Sequence, residues 1–247
     1  MRIGALIECR SASERLPGKC FMEIEERSMI QLVYDRVSLC KSTDHVRVVI
    51  PNGDANLGMY CRQRGMKYAA GNSWEKGDVM QELARTAREH ALDLIIEITG
   101  DCPCIDPEII DKVVSYHLHR DCKGDFTGWD FVKGAEVRVF TREALERAVK
   151  LVEGYKRNGS TIFYRKPKWK SEMMVMPEWW QAGPAAGLNY SVDTQLDLER
   201  VRAIYKQLPW KASLKEIVSV AGDLHERALK NRGRPSIASA PGATSTS

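Results

Sequence analysis

Across the first 118 residues short apolar runs alternate with stretches of helical period, and no other feature of the chain constrains its fold as tightly. Ile3-Gly4-Ala5-Leu6-Ile7, Val46-Arg47-Val48-Val49-Ile50, Lys67 to Ala70 and Leu94-Ile95-Ile96-Glu97-Ile98 read as strands, because apolar runs of this length suit buried, extended chain. Between them, Ser28 to Cys40, a segment through Tyr60 and Arg64 that stops at Gly65, and Asp78 to His90 read as helices. Val79, Leu83 and Ala87 share one face of the last. Asp106-Pro107 supplies an N-cap and a first-turn proline for a helix carrying Ile109, Ile110, Val113 and Val114. The expected fold is therefore α/β, a mostly parallel sheet with helices on both faces and right-handed crossovers.

Beyond the alternation, Glu136 to Phe140 reads as a strand and Arg142 to Val152 as a helix. Residues 153–187 carry seven Gly and Pro together with Trp169, Trp179 and Trp180, and read as an irregular insertion. Two readings stand for it: a lid or dimer element anchored by exposed aromatics, or a tryptophan-pinned loop packed on its own domain. Regular helical pattern returns at Gln195 to Leu208 and Leu214 to Ala221. A tail over 232–247, rich in Ser, Ala, Pro and Gly, is expected to be disordered, which leaves one domain over 1–231.

The bulk properties exclude several classes. A formal net charge of +4, with acids and bases mixed along the chain, argues against nucleic-acid binding; Lys166-Pro167-Lys168-Trp169-Lys170 is one isolated basic cluster. No apolar run approaches the roughly 18 residues of a membrane span, and the N-terminus lacks a secretory pattern, so a cytoplasmic location is expected. Seven cysteines include no paired C-x-x-C units, and they read as free thiols in a reducing compartment.

The loop Cys9-Arg10-Ser11-Ala12-Ser13-Glu14-Arg15-Leu16-Pro17-Gly18-Lys19 leaves the first strand with three cations, Arg10, Arg15 and Lys19. Such a loop is either a solvated surface turn or an anion cradle, and its place at the end of a first α/β strand favours the cradle. It is neither the G-x-x-x-x-G-K-[ST] loop nor the G-x-G-x-x-G fingerprint. Asp101 follows the fourth strand, and Asp193 lies at the end of another short apolar strand, Asn189-Tyr190-Ser191-Val192, just before a helix. Each aspartate alone is equally a turn or cap residue, whereas together beside a phosphate loop they suit Mg2+, which takes one or two carboxylates plus phosphate oxygens. Asp197 reads as a helix-start residue.

Ser13-x-Arg15-Leu16-Pro17-Gly18-Lys19, Thr99-Gly100-Asp101-Cys102-Pro103, Ile105-Asp106-Pro107 and Val192-Asp193-Thr194-x-x-Asp197-Leu198 occur in order, and with them the chain resembles the cytidylyltransferases that make CMP-activated sugars. Its nearest likeness is to the spore-coat polysaccharide biosynthesis-type branch, with a more distant one to CMP-Kdo and CMP-sialic acid synthetases. The resemblance implies a Rossmann-like nucleotidyltransferase fold and transfer of CMP from CTP to a small anionic acceptor, an acidic sugar or a phosphate or phosphonate compound, with release of pyrophosphate. It also implies a homodimer. By position it places Arg10, Ser13, Arg15 and Lys19 on the triphosphate, Asp78 near the nucleotide, and Mg2+ on Asp101 and Asp193; catalysis falls to Lys19, Arg10 and Asp101.

The chain departs from the family at Glu136-Val137-Arg138, where two acids are usual. Glu136 and Arg138 are the candidate acceptor residues. Arg138 is either a bidentate clamp on the acceptor's anion or an outward-facing strand residue. Gly159 to Arg165 stands where the family often carries a histidine segment. Use of another nucleoside triphosphate, and a nucleotide-binding protein without catalysis, are the alternative readings.

Overall fold

The computed structural model describes residues 1–73, 78–119, 125–151, 171–173 and 187–232. In chain order the elements are β1 (Ile3–Glu8), a single-turn helix (Lys19–Phe21), β2 (Glu23–Ile24), β3 (Arg27–Ser28), α1 (Met29–Val37), β4 (His45–Pro51), α2 (Ala55–Gln63) and β5 (Tyr68–Gly71). There follow α3 (Val79–Glu89), β6 (Leu94–Thr99), α4 (Pro107–His119), β7 (Phe126–Trp129), β8 (Val137–Thr141), α5 (Arg142–Leu151), β9 (Ser171–Met173), α6 (Gln195–Tyr205) and α7 (Leu214–Arg232).

One seven-stranded sheet organises them, in the order β5-β4-β1-β6-β8-β7-β9. β5, β4, β1 and β6 run parallel, β8 is antiparallel to both β6 and β7, and β9 is parallel to β7. β1 lies inside the sheet, between β4 and β6, where its apolar residues are buried on both faces. Ala5 and Ile7 pack into a large core with α1, α2, α4, α6 and α7, while Leu6 enters a smaller one with α3 and α5. Period-two alternation thus sorts one strand between two helical layers, as the mostly parallel sheet with helices on both faces requires.

Every strand and helix expected before residue 152 forms, within two or three residues at each end. Ser28 caps α1 through Gln31 N, and Asp78 caps α3 through Gln81 N. Asp106 does two things: Oδ1 accepts from Glu108 N at 2.8 Å and Oδ2 from Leu214 N at 2.5 Å, tying the start of α4 to the start of α7.

The structure also departs from the sequence pattern: Asn189 to Val192, expected as a short strand, forms none, because its backbone bonds to loop carbonyls, Tyr190 N to Lys133 O and Val192 N to Asp101 O, and not to a sheet edge. β7 and the β2–β3 hairpin are additional; four and two residues per strand are too short for alternation to register, and pairing with neighbours makes them. Within 153–187, read as irregular, Ser171–Met173 forms an edge strand on β7, whose outer N–H and C=O groups offer a template. The rest of that segment except Gly187, and the tail from 233, lie outside the described residues. Finally, α7 does not stop at Ala221 but continues to Arg232. Gly222 costs helix propensity of about 1 kcal/mol. It is nonetheless buried there, next to the core residue Ala221.

Candidate active site

The site lies where β1 and β6, the two central parallel strands, end side by side. The loop after β1 is pinned from several directions. Leu16 and Cys20 are buried in the core, Ser11 O accepts from both Ser13 N and Gly18 N at 3.0 Å, and Gly18 adopts φ +70°, the left-handed conformation that glycine takes without strain. Asp54 adds a tie from the start of α2. Its carboxylate caps α2 through Leu57 N and also accepts from Ser11 N at 2.7 Å and Ser11 Oγ at 2.9 Å. With Cys9, Leu16 and Cys20 held inward, the loop presents its cations outward: Arg10 and Arg15 are exposed and Lys19 reaches across the strand ends.

Lys19 makes the central contact. Its Nζ donates to Asp101 Oδ2 at 2.7 Å, to Val192 O at 2.7 Å and to Asp193 Oδ1 at 3.2 Å. Arg15 Nη2 meets the same Asp193 oxygen at 2.8 Å. The Lys19 side chain is only 12% exposed. Burial opposes its charge, but Asp101 and then Asp193 outweigh that and hold its pKa above the usual lysine value.

Backbone geometry brings the two aspartates together from positions 92 residues apart in the chain. Gly100 N donates to Glu8 O at 2.8 Å, and a Cβ on Gly100 would sit 2.8 Å from that same oxygen, so glycine permits the turn that projects Asp101. Val192 N donates to Asp101 O at 2.9 Å, which joins the two acid-bearing segments directly. On the other side, Tyr190 N donates to Lys133 O at 2.8 Å, and Gly134 packs so closely on Ser191 that any side chain there would overlap the backbone. Asp197, expected at a helix start, forms a capping box with Thr194 and accepts from Asp193 N at 3.2 Å. Those donors outweigh burial and hold its carboxyl below the usual range.

The candidate acceptor residues lie on the β8 side. Cys102 Sγ is 3.7 Å from Asp101 Oδ1 and 3.9 Å from Glu136 Oε2, so a single buried thiol separates the two carboxylates. Burial first, then Asp101 and Glu136, push that thiol's pKa well up and keep it protonated. Glu136 Oε2 accepts from Gly134 N at 2.7 Å, and burial raises its pKa against that bond. Arg138 is not an outward-facing strand residue: its side chain is 14% exposed, it pairs in register with Glu97 on β6, and its Nε lies 3.6 Å from Asp130 Oδ1. The charge at 138 therefore has matching acids on the same sheet face.

Two of those acids were invisible to spacing. Glu97, 2% exposed, and Glu8 project from neighbouring central strands toward the same face. Burial raises both pKa values; for Glu8 the repulsion from Glu97 adds to it, and Arg138 opposes the rise in both. Asp54, the Val192 carbonyl and Cys102 were likewise missed. Only Asp54, a polar residue before a helix, left a local signal. Of the expected site residues, Lys19, Arg15, Asp101 and Asp193 converge, Glu136 joins them through Cys102, and Arg10 stands exposed just past β1. Ser13 enters through its backbone turn, and Asp78 serves as the cap of α3.

Fold and site together define a Rossmann-like nucleotidyltransferase. A family model described as cytidylyltransferase matches residues 4–219, and the chain belongs to that family. An uncharacterized protein of Methanocaldococcus jannaschii is 29% identical over 204 residues, 81% of each chain. The 8-amino-3,8-dideoxy-manno-octulosonate cytidylyltransferase of Shewanella pealeana is 35% identical over 122 residues, but that match spans only 47% of each chain. The mitochondrial 3-deoxy-manno-octulosonate cytidylyltransferase of Arabidopsis thaliana is 33% identical over 46% of this chain and 39% of its own. Two solved structures share the fold. A cytidylyltransferase from Leptospira borgpetersenii superposes with TM-score 0.81 at 21% identity, over 95% of this chain and 98% of that one. A CMP:2-keto-3-deoxy-manno-octonic acid synthetase complexed with CTP superposes with TM-score 0.65 at 18% identity, over 84% and 99%.

Proposed function

We propose that this protein transfers CMP from CTP to a small anionic acceptor, an acidic sugar or a phosphate or phosphonate compound, and releases pyrophosphate. The observation that carries this reading is the convergence of Lys19 and Arg15 on Asp101 and Asp193 at the ends of β1 and β6, in a chain of the cytidylyltransferase family. The curated relatives in octulosonate activation supply the acceptor class, an acidic sugar.

In this reading the triphosphate lies along the loop after β1. Arg10, Arg15 and Lys19 hold it and offset the charge that builds on the departing pyrophosphate, while Ser11 and Ser13 keep the loop in shape. The acceptor oxygen attacks the α-phosphorus in line with pyrophosphate, so the protein's task is orientation, and no covalent enzyme intermediate is needed. Glu136 and Arg138 lie on the acceptor side, where a guanidinium offers fork-shaped donors to a carboxylate or phosphonate. Asp78 borders the nucleotide.

The same acids suit Mg2+. Three oxygens, from Asp101, Asp193 and Val192, already surround one cation, the Lys19 ammonium, at 2.7 to 3.2 Å. A hard, oxygen-only donor set is what this metal takes. Among the described residues no group of three or more His, Cys, Asp or Glu side chains is arranged to hold a metal ion by itself; in this reading the two acids hold it jointly with the substrate's phosphates. Bound there, Mg2+ supplies Lewis acidity at the α-phosphate.

Among the described residues no helix is long and apolar enough to cross a membrane. We take the enzyme to be a cytoplasmic homodimer that supplies a polysaccharide or related surface glycoconjugate. The deciding experiment is a screen of acidic sugars and small phosphonates with CTP and magnesium, reading pyrophosphate and confirming the CMP adduct by mass. Parallel reactions with UTP and GTP separate the base. Pyrophosphate release with those nucleotides and not with CTP overturns the nucleotide assignment. Magnesium-dependent CTP binding without turnover on any acceptor favours a binding protein.

A further inference from the structure

The arrangement around Lys19 has a consequence for how metal and nucleotide enter. An ammonium has three N–H donors. In Lys19 all three are engaged, on Asp101, Val192 O and Asp193. A phosphate oxygen can therefore gain Lys19 only if Lys19 releases at least one of these oxygens. Charge adds a second constraint. Lys19 and Arg15 face Asp101 and Asp193, two cations against two carboxylates, so this group of four is neutral before any ligand arrives.

We infer that Lys19 is an internal counter-cation that occupies the metal position between Asp101 and Asp193 until a triphosphate draws it away, so that divalent metal enters with the nucleotide and not before it. This inference rests on the proposed metal role of the two aspartates. The physical reason is competition. A divalent ion approaching the nucleotide-free site must displace an ammonium held at 2.7 Å by oxygens in a partly buried, low-dielectric setting, and the displaced ammonium then lies beside a like charge. A triphosphate reverses the balance. Its negative charge gives Lys19 and Arg15 a better partner, and the two freed carboxylates, together with the phosphate oxygens, then make a site that attracts metal. Lys19 thereby couples the two ligands, each raising the other's affinity by the same factor.

The test is Mn2+ binding, followed by electron paramagnetic resonance of the free ion and by calorimetry, with and without CTP. Wild-type protein is expected to bind Mn2+ weakly alone and at least about tenfold more tightly with CTP bound. Lys19→Met, which keeps the length of the stem and removes the charge, is expected to bind Mn2+ without nucleotide at least about tenfold more tightly than wild type. The double variant Lys19→Met with Asp193→Asn is expected to lose that gain, which ties it to the carboxylates. Lys19→Gln, compared by thermal unfolding, guards against a folding defect in the methionine variant. Equal Mn2+ affinity of wild type, Lys19→Met and Lys19→Gln in the absence of CTP overturns the inference. That result differs from failure of the underlying metal assignment, in which Asp101→Asn and Asp193→Asn leave Mn2+ affinity in the CTP complex unchanged.

Discussion

At the scale of single residues, the site is a problem of placing charge where water is scarce. Asp101 is held by backbone on both sides, through Gly100 N to Glu8 O and Val192 N to its own carbonyl, so its side chain can change chemistry without moving the chain. Asp101→Asn is expected to leave the unfolding midpoint close to wild type and to lower turnover by about 10²–10³-fold or more. Near-normal activity at saturating magnesium would sink the assignment. Glu97 and Glu8 pose the opposite case, a carboxyl pair whose pKa values the fold raises, with Arg138 opposing the rise. Because their folded pKa is raised, the stability they contribute is greatest at acid pH and is lost as pH rises from the ordinary carboxylate range through the folded values. Glu97→Gln should flatten that fall. Urea unfolding at about pH 5 and about pH 8 checks it, since the wild type should lose more stability between the two than the variant. The cross-strand partner of Glu97 is Arg138, which explains why an arginine is tolerated where the family usually has an acid: its charge is matched in register, a fact with no trace in local sequence.

At the scale of elements, caps and short connections decide where the acids point. Thr194 Oγ1 and Asp197 bond each other's backbone N–H groups at the start of α6, and Asp197 also accepts from Asp193 N. Helix initiation and positioning of the second acid are one structure. Thr194→Ala is expected to cost about 1 kcal/mol, the usual loss of an N-cap hydroxyl. Turnover should fall beyond what that destabilisation explains, and Thr194→Ser should restore most of both; denaturant titration and steady-state rates measure the two effects. The helices after Asp78, Asp106 and Thr194 were legible because apolar spacing and, at Asp106-Pro107, the N-cap and first-turn proline are local properties of the chain. β7, β9 and the β2–β3 hairpin were not legible, because two to four residues carry no period and form only where a partner edge is offered.

At the scale of the whole molecule, distant loops are gathered by buried polar ties. Arg36 is fully buried in the last turn of α1, and it donates to Ile105 O at 2.6 Å, Trp210 O at 2.5 Å and Ala212 O at 2.9 Å. It joins the loop that follows Asp101 to the loop before α7. Arg36→Met keeps the apolar stem but strands three carbonyls, and it is expected to cost roughly 3 kcal/mol or more, since each buried unsatisfied group carries its own desolvation penalty. Thermal unfolding followed by circular dichroism reads the loss, and a variant as stable as wild type contradicts the role. The same principle governs the site, where Val192 N to Asp101 O spans 91 residues of chain and Ser11 to Asp54 spans 43.

From the sequence alone came the α/β alternation, the cationic loop after the first strand and the two acids that follow later apolar runs, because each is written in contiguous residues whose period, capping and charge are local properties. Tertiary structure alone decided that Lys19 bridges Asp101 and Asp193, that Arg138 is matched by Glu97, and that Cys102 lies between Asp101 and Glu136. The physical reason is the same in each case. These contacts depend on strand order and register, which bring together side chains far apart along the chain, and on burial, which sets how strongly their charges act on one another.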